Sequence, residues 1–359
     1  MWLPWIAELV KQKLDITSIR IFDTFLQGPS DDGTYTIRHL DIGNDAVRAA
    51  KSGHADVVEW IYDALVRSPG DFTDVEKRMC SAAAEGGHIE ILIGLHERGC
   101  AWDSSTCSAA ARGGHVECLR YADENGCPWD ASTCSEAAAH GKLECLRYAD
   151  ENDCPWDELT CTLAASYGHL ECLKYACAND CPWNEDTCHS AAAYGHIECL
   201  KYAHDVGCPW DEEQICYDQD EDDVFCEWEN FGCAIAARFG QLECLQFAHQ
   251  NGCPWNSSTC YSAAWGGHIG CLKYAHDNGC HWNEWTCSEA ALGGQLECLE
   301  YARNNGCPWN DRTCSRAASG GHFEILKYAQ ENDRVLRCRQ NFSSYSVGKH
   351  GTNNKHCNN

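Results

Sequence analysis

Apolar and polar positions along this chain recur as a block, and one block, read from Thr133, is TCSEAAAHGKLECLRYADENDCPWDEL. Cys134, Ala137 and Ala138 fall at i, i+3 and i+4, which predicts a short helix with a face of small residues. Glu136, three residues after Thr133, predicts a capping box at its start, repeated at Thr286 and Glu289. Gly141 ends that helix, and Leu143, Leu146, Tyr148 and Ala149 form the stripe of a second one. The second helix stops at an Asn-Gly or Asn-Asp pair such as Asn125-Gly126, and the proline that follows forbids continuation. The tryptophan after that proline is expected to fold back onto the helix pair as its chief packing element.

The tripeptide Cys-Pro-Trp begins at Cys127, Cys154, Cys181, Cys208, Cys253 and Cys307, with variants at Cys100 and Cys280. Its starts are 27 residues apart except for one interval of 45, so the array carries a single 18-residue insertion. A fixed period of this length predicts a stack of helix pairs.

Thr106, Ala110, Ala111, Gly114, His115, Glu117, Leu119 and Gly126 resemble the ankyrin consensus, with its threonine, Ala-Ala-x-x-Gly-His and Gly-Ala-Asp landmarks. The resemblance implies an all-α, ankyrin-like helical repeat solenoid. Two departures shape the expectation. Cysteine follows the threonine where the family has Pro-Leu-His, and the stretch from Gly126 to Thr133 is too short for ordinary hairpin fingers, which are therefore expected to be truncated. The 27-residue Cys-Pro-Trp form resembles repeats expanded in giant DNA viruses and some protists and algae.

These patterns predict an N-terminal helical cap over residues 1–41, with helices from Ile6 to Leu14 and Ile19 to Leu26. About ten repeats follow over 42–332, with an acidic insertion at 211–230, and residues 333–359 read as a disordered basic tail. Leu3-Pro4 resembles the start of an F-box, without the rest of that pattern.

Lys and Arg number 27 against 54 Asp and Glu, a formal charge of -27, which disfavours nucleic acid and anionic membranes as partners. No run approaches the roughly 18 apolar residues of a membrane span, and the first residues lack a basic n-region and a cleavage site. A cytoplasmic location is expected, in the host cytoplasm if the chain is viral.

The 29 cysteines fall mainly into columns: Cys107, Cys134 and Cys161 belong to one on the first helix, Cys118, Cys145 and Cys172 to one on the second, and the Cys-Pro-Trp row is the third. These are positions for small apolar residues, so reduced core thiols are expected. No Cys-x2-Cys pair seeds a zinc site. The His column is interrupted by Lys142, Gln241 and Gln295, and the resemblance makes it a turn-bracing residue. Hydrolase, zincin and phosphate-loop motifs are missing. The chain therefore reads as non-enzymatic, without cofactor or metal ligand.

Two features exceed a purely structural reading. Residues 211–230 carry ten acids and no base, interleaved with Tyr217, Phe225 and Trp228 and including Asp220 and Asp222. A merely solubilising loop needs no large apolar side chains. The second feature is the variable pair before the Gly of each Gly-His; the resemblance implies that these positions face a concave groove. Tyr167, Tyr194, Arg238, Phe239 and Trp265 stand there in the middle of the array, and aromatic residues with Arg typify interface hot spots. The expected function is binding of a protein partner, neutral or basic, by a monomer whose acidic loop steers the encounter. Two alternatives are an adaptor that presents substrates to a degradation complex and a thiol-rich metal or redox protein.

Overall fold

A computed structural model describes residues 42–66, 71–208 and 232–332. The expected cap, the acidic insertion and the basic tail lie outside the described residues. The chain divides into two compact units, Met1–Ala191 with Glu198–Pro209, and Ala192–Ile197 with Trp210–Asn359. The first unit holds the pairs α1 (Ile42–Lys51) and α2 (Ala55–Val66), α3 (Thr73–Gly86) and α4 (Ile89–Glu97), α5 (Ser104–Gly113) and α6 (Val116–Glu124). It continues with α7 (Ala131–Ala139) and α8 (Leu143–Glu151), then α9 (Glu158–Ser166) and α10 (Leu170–Ala178). The division falls inside α11 (Glu185–Tyr194), which α12 (Ile197–Asp205) follows in the chain. In the second unit come α13 (Gly232–Arg238) and α14 (Leu242–Gln250), α15 (Ser257–Gly266) and α16 (Ile269–Asp277), α17 (Glu284–Leu292) and α18 (Leu296–Asn304), and α19 (Asp311–Gly320) and α20 (Phe323–Asn332). The fold is all-helical and ankyrin-like, with no strand among the described residues, and each finger is cut to a turn such as residues 125–130.

Within each unit, consecutive first helices pack far more closely than consecutive second helices. The alanine pairs explain this, since Ala110, Ala111, Ala137 and Ala138 are wholly buried and let backbones approach. The second helices α6, α8, α10, α12, α14, α16 and α18 each bury a Cys, a Leu and an Ala, as at Cys145, Leu146 and Ala149.

The helix starts differ from expectation. The capping residue is the Asp or Asn after each tryptophan: the side chains of Asp130, Asp157 and Asn283 accept the backbone N–H groups of Ser132, Leu159 and Trp285. Thr133 and Thr286 lie inside the helices, fully buried, and their Oγ1 atoms make no hydrogen bond among the described residues. The threonine was expected to cap because its spacing to glutamate imitates the capping box; the true cap lies three residues earlier.

Within a unit, neighbouring pairs are tied in three ways. The Cys-Pro-Trp thiol donates to the backbone carbonyl of the preceding repeat's cap, Cys127 to Asp103 at 3.3 Å and Cys307 to Asn283 at 3.3 Å. The His column braces the preceding turn as the resemblance implied: His88 and His322 donate Nε2 to the carbonyls of Lys51 (3.1 Å) and Leu292 (3.0 Å). Gly141 shows why glycine is needed there, since its φ is +66° and a Cβ would meet the His169 ring at 2.6 Å. On the outer side Tyr148 donates its hydroxyl to Asp123 at 2.8 Å, and Trp129 meets the Tyr148 ring edge-on at 6.4 Å.

Among the described residues the tryptophans of the Cys-Pro-Trp row and its variants are half-buried. They bridge neighbouring repeats at the rim and are not the core element expected of them; the core consists of small residues and the leucine of each second helix.

Two outcomes in urea titrations follow. Asp130→Ala should cost about 1 kcal/mol, as for a lost cap, whereas Thr133→Val should cost nothing or stabilise by up to about 1 kcal/mol because it removes an unsatisfied buried hydroxyl. Trp129→Ala should cost about 2 kcal/mol, roughly half the value for a fully buried ring.

Candidate functional site

The thiols form interior columns. Among the described residues every cysteine except Cys314 is a free thiol; Cys314 is disulfide-bonded, which corrects the expectation of uniformly reduced cysteines at that position. Burial pushes Cys118, Cys145, Cys172, Cys199 and Cys271 up to about 11, and Cys298 to about 12. A hydrogen bond to the next Cys-Pro-Trp thiol, together with burial, holds Cys107 and Cys134 far above the ordinary thiol range. Thiols held protonated in this way are weak nucleophiles and weak metal ligands at neutral pH. Cys177 stands outside the columns, half-buried, with its sulfur 3.9 Å from that of Cys161.

The face of the first helices differs in chemistry from repeat to repeat. In the first unit Arg112 grips Glu136 of the next repeat with both edges, Nε to Oε2 at 2.9 Å and Nη2 to Oε1 at 2.8 Å. Those bonds hold the Glu136 carboxyl below its usual range. Two repeats on, α9 lays Leu159, Leu163 and Tyr167 along one line at i, i+4 and i+8, with Leu159 52% and Tyr167 59% exposed. Leu163, between them, is half-buried.

Where the position before the Gly of Gly-His is itself glycine, as at Gly113 and Gly293, the chain runs so close to the preceding repeat that a Cβ would collide with the carbonyl of Glu85 or Trp265. At Tyr167 and His140 the equivalent position carries a longer side chain, which is exposed. Tyr194 is 62% and Phe239 52% exposed in the second unit.

That unit continues with a charged and aromatic group. The Arg238 guanidinium lies 4.5 Å from the Trp265 ring centre, and both residues are half-buried. Arg312 and Arg316 lie 4.6 and 5.5 Å over the Trp285 ring. Glu289, only 2% exposed, takes Arg316 at 3.2 Å through Oε1, while Oε2 has no hydrogen-bond partner among the described residues. Burial raises its carboxyl above the ordinary value, and Arg316 and Arg238 only partly offset this.

Of the residues picked out in the sequence, Tyr167, Tyr194 and Phe239 are exposed on first-helix ends, and Arg238 pairs with Trp265. Tyr217, Asp220, Asp222, Phe225 and Trp228 lie outside the described residues. The sequence reading missed Leu159, Leu163, Trp285, Arg312 and Arg316, and it gave Glu136 and Glu289 a capping role in place of their cross-repeat ion pairs. The signal was available: Ser105 and Ser132 become Leu159, Trp285 and Arg312 in the same column.

No family model matches the chain, and no curated protein does. Among solved structures the chain is similar to a human ASB11 ankyrin repeat domain, with 20% identity over 52% of this chain and 85% of that one and a TM-score of 0.40. So slight a likeness bears on neither partner nor mechanism.

The raised Glu289 carboxyl yields a test with a definite sign. The folded chain holds that proton more tightly than the unfolded one, so the group favours folding as pH falls and opposes it above its folded value. Glu289→Gln should therefore leave stability at pH 7 unchanged or higher, with the gain over the unmodified chain shrinking as pH falls towards about 4.3 in urea titrations. A loss of about 3 kcal/mol at pH 7 would show instead that the ion pair outweighs desolvation.

Proposed function

We propose that this chain is a non-enzymatic recognition module that holds a protein partner against the face of its first helices. The observation that carries the reading is the line Leu159, Leu163 and Tyr167, exposed at its two ends and half-buried at Leu163, set on a helix whose opposite side is fully buried at Cys161, Ala164 and Ala165. Tyr194 and Phe239 extend the same choice of exposed ring at equivalent positions of later repeats. Positions that hold the stack keep one residue type along the array, while positions on this face vary, as a surface shaped for one ligand does.

The net charge of -27 favours a partner that is neutral or basic overall, and the acids of residues 211–230, Asp220 and Asp222 included, would speed its approach. A monomer in the cytoplasm fits this reading, and no helix among the described residues is long and apolar enough to cross a membrane. The adaptor alternative adds a second partner for residues 1–41 and uses the same face.

Photocrosslinking separates this face from the rest. A benzophenone amino acid at Tyr167 or at Phe239 should label one common protein in the native cell, while the same group at Lys273, on the second-helix side, should not. The purified partner should bind the Leu159→Ser, Tyr167→Ala double variant about a hundredfold more weakly, since two hot-spot residues contribute roughly 2 kcal/mol each at least and part of that overlaps. Equal labelling from Lys273, or unchanged affinity of the double variant, would move the site off this face.

A further inference from the structure

Among the described residues every free cysteine is buried except Cys177, on α10, which is partly open to solvent. Its sulfur lies 3.9 Å from that of Cys161 on α9, the other helix of the same repeat. Cys161 also shares a hydrogen bond with the Cys181 thiol, so it sits between a buried sulfur and one that solvent reaches.

Packing does not call for a thiol at Cys177. The equivalent positions of other repeats include His96, Asp123, Asp150, His249, His276 and Arg303, all polar or charged. There the side chain meets the tyrosine of the next repeat: Tyr148 donates to Asp123 at 2.8 Å, Tyr175 donates to Asp150 at 2.7 Å, and His96 Nδ1 lies 2.9 Å from the Tyr121 hydroxyl. The ring facing Cys177 is Tyr202, whose hydroxyl is held above its ordinary value by burial and, after it, by Cys177. Sulfur accepts a hydrogen bond more weakly than a carboxylate or an imidazole does. Cys177 thus weakens the polar tie of its column and sets a second sulfur against Cys161.

Bonding requires the two sulfurs to close from 3.9 Å to about 2.05 Å. The hydrogen bond with Cys161 holds the Cys177 thiol below its ordinary value, against a smaller opposing effect of burial. The same bond, the one to Cys181 and burial hold Cys161 far above the ordinary thiol range. The open sulfur is therefore the first nucleophile, and the buried one keeps its proton until it is used.

We infer that Cys177 and Cys161 form an oxidation site, at which a peroxide converts the two thiols into an intramolecular disulfide. The Cys177 thiolate attacks one peroxide oxygen and the O–O bond breaks. The sulfur becomes a sulfenic acid, and the departing hydroxide takes up the proton that Cys177 released. The Cys161 sulfur then attacks that of Cys177 and displaces its hydroxyl, which leaves with the Cys161 proton as a second water. Two thiols lose two electrons to one peroxide, and a dithiol reverses the change by exchange. The inference goes beyond the recognition reading and stands without it.

The full chain, reduced with dithiothreitol and freed of it, is exposed to hydrogen peroxide, quenched with N-ethylmaleimide and mapped by tandem mass spectrometry without reduction. A Cys161–Cys177 bridge should form at least about tenfold faster than any other buried thiol is lost, and dithiothreitol should restore both thiols. Cys161→Ala should stop the reaction at the sulfenic acid, which dimedone then labels at Cys177. Cys177→Asp brings in the residue type of Asp123 and Asp150, so it should keep the fold while abolishing both bridge and label. The proposal is overturned if Cys177 reacts no faster than the buried thiols, or if Cys161 pairs with Cys181 instead. It is equally overturned if Cys177 bridges two chains, or bonds Cys216, Cys226, Cys338 or Cys357, in preference to Cys161.

Discussion

The close approach of consecutive first helices is the constraint on which the rest depends. Paired alanines allow it, and the backbone contacts that follow from it leave no room for choice at the neighbouring positions. The cap of one repeat must lie where the thiol of the next can donate to its carbonyl, and the turn glycine must take positive φ beneath the next repeat's imidazole. A small polarizable thiol suits such a seam, because it fills a gap of fixed size and still offers a weak donor. Shortening the fingers to a turn removes the other means of registering neighbours and puts that duty on the Cys-Pro-Trp segment. Its tryptophan covers the rim edge-on against the next tyrosine.

With the stack fixed in this way, the side chains on the open side of the first helices are released from packing. They can differ between repeats at small cost in stability. The chain uses that freedom in blocks: an ion pair at Arg112 and Glu136, an apolar line on α9, and arginine with tryptophan around Glu289. The same repeat backbone thus carries different surface chemistry within each unit.

Much of this was legible in the amino-acid order. The 27-residue period and the two helices of each block follow from spacing alone, and Tyr167, Tyr194 and Phe239 were picked out because the resemblance implies that their column faces a groove and aromatic residues with Arg typify interfaces. The cap was misread because Thr133 and Glu136 have capping-box spacing, while the actual cap, Asp130, belongs visually to the preceding turn. The role of Glu289 was hidden for a different reason. Its partners, Arg316 and Arg238, lie 27 and 51 residues away in sequence and meet it only through the stack. The tryptophans were expected to be the chief packing element in place of the missing hairpins, but a ring cannot enter a seam whose spacing is set by alanine.

The central claim is that constant positions hold the fold and variable first-helix positions hold the ligand. Thermal unfolding of one chain carrying Ser at Leu159, Tyr167, Tyr194 and Phe239 together, beside one carrying Ser at Cys118, Cys145, Cys172 and Cys199, tests it most directly. The account predicts a midpoint within about 3 °C of the unmodified chain for the first, and a fall of more than about 10 °C for the second, whose buried thiols each become buried hydroxyls. Equal losses in the two chains would mean that the rings on the first helices belong to the core, and would contradict the account.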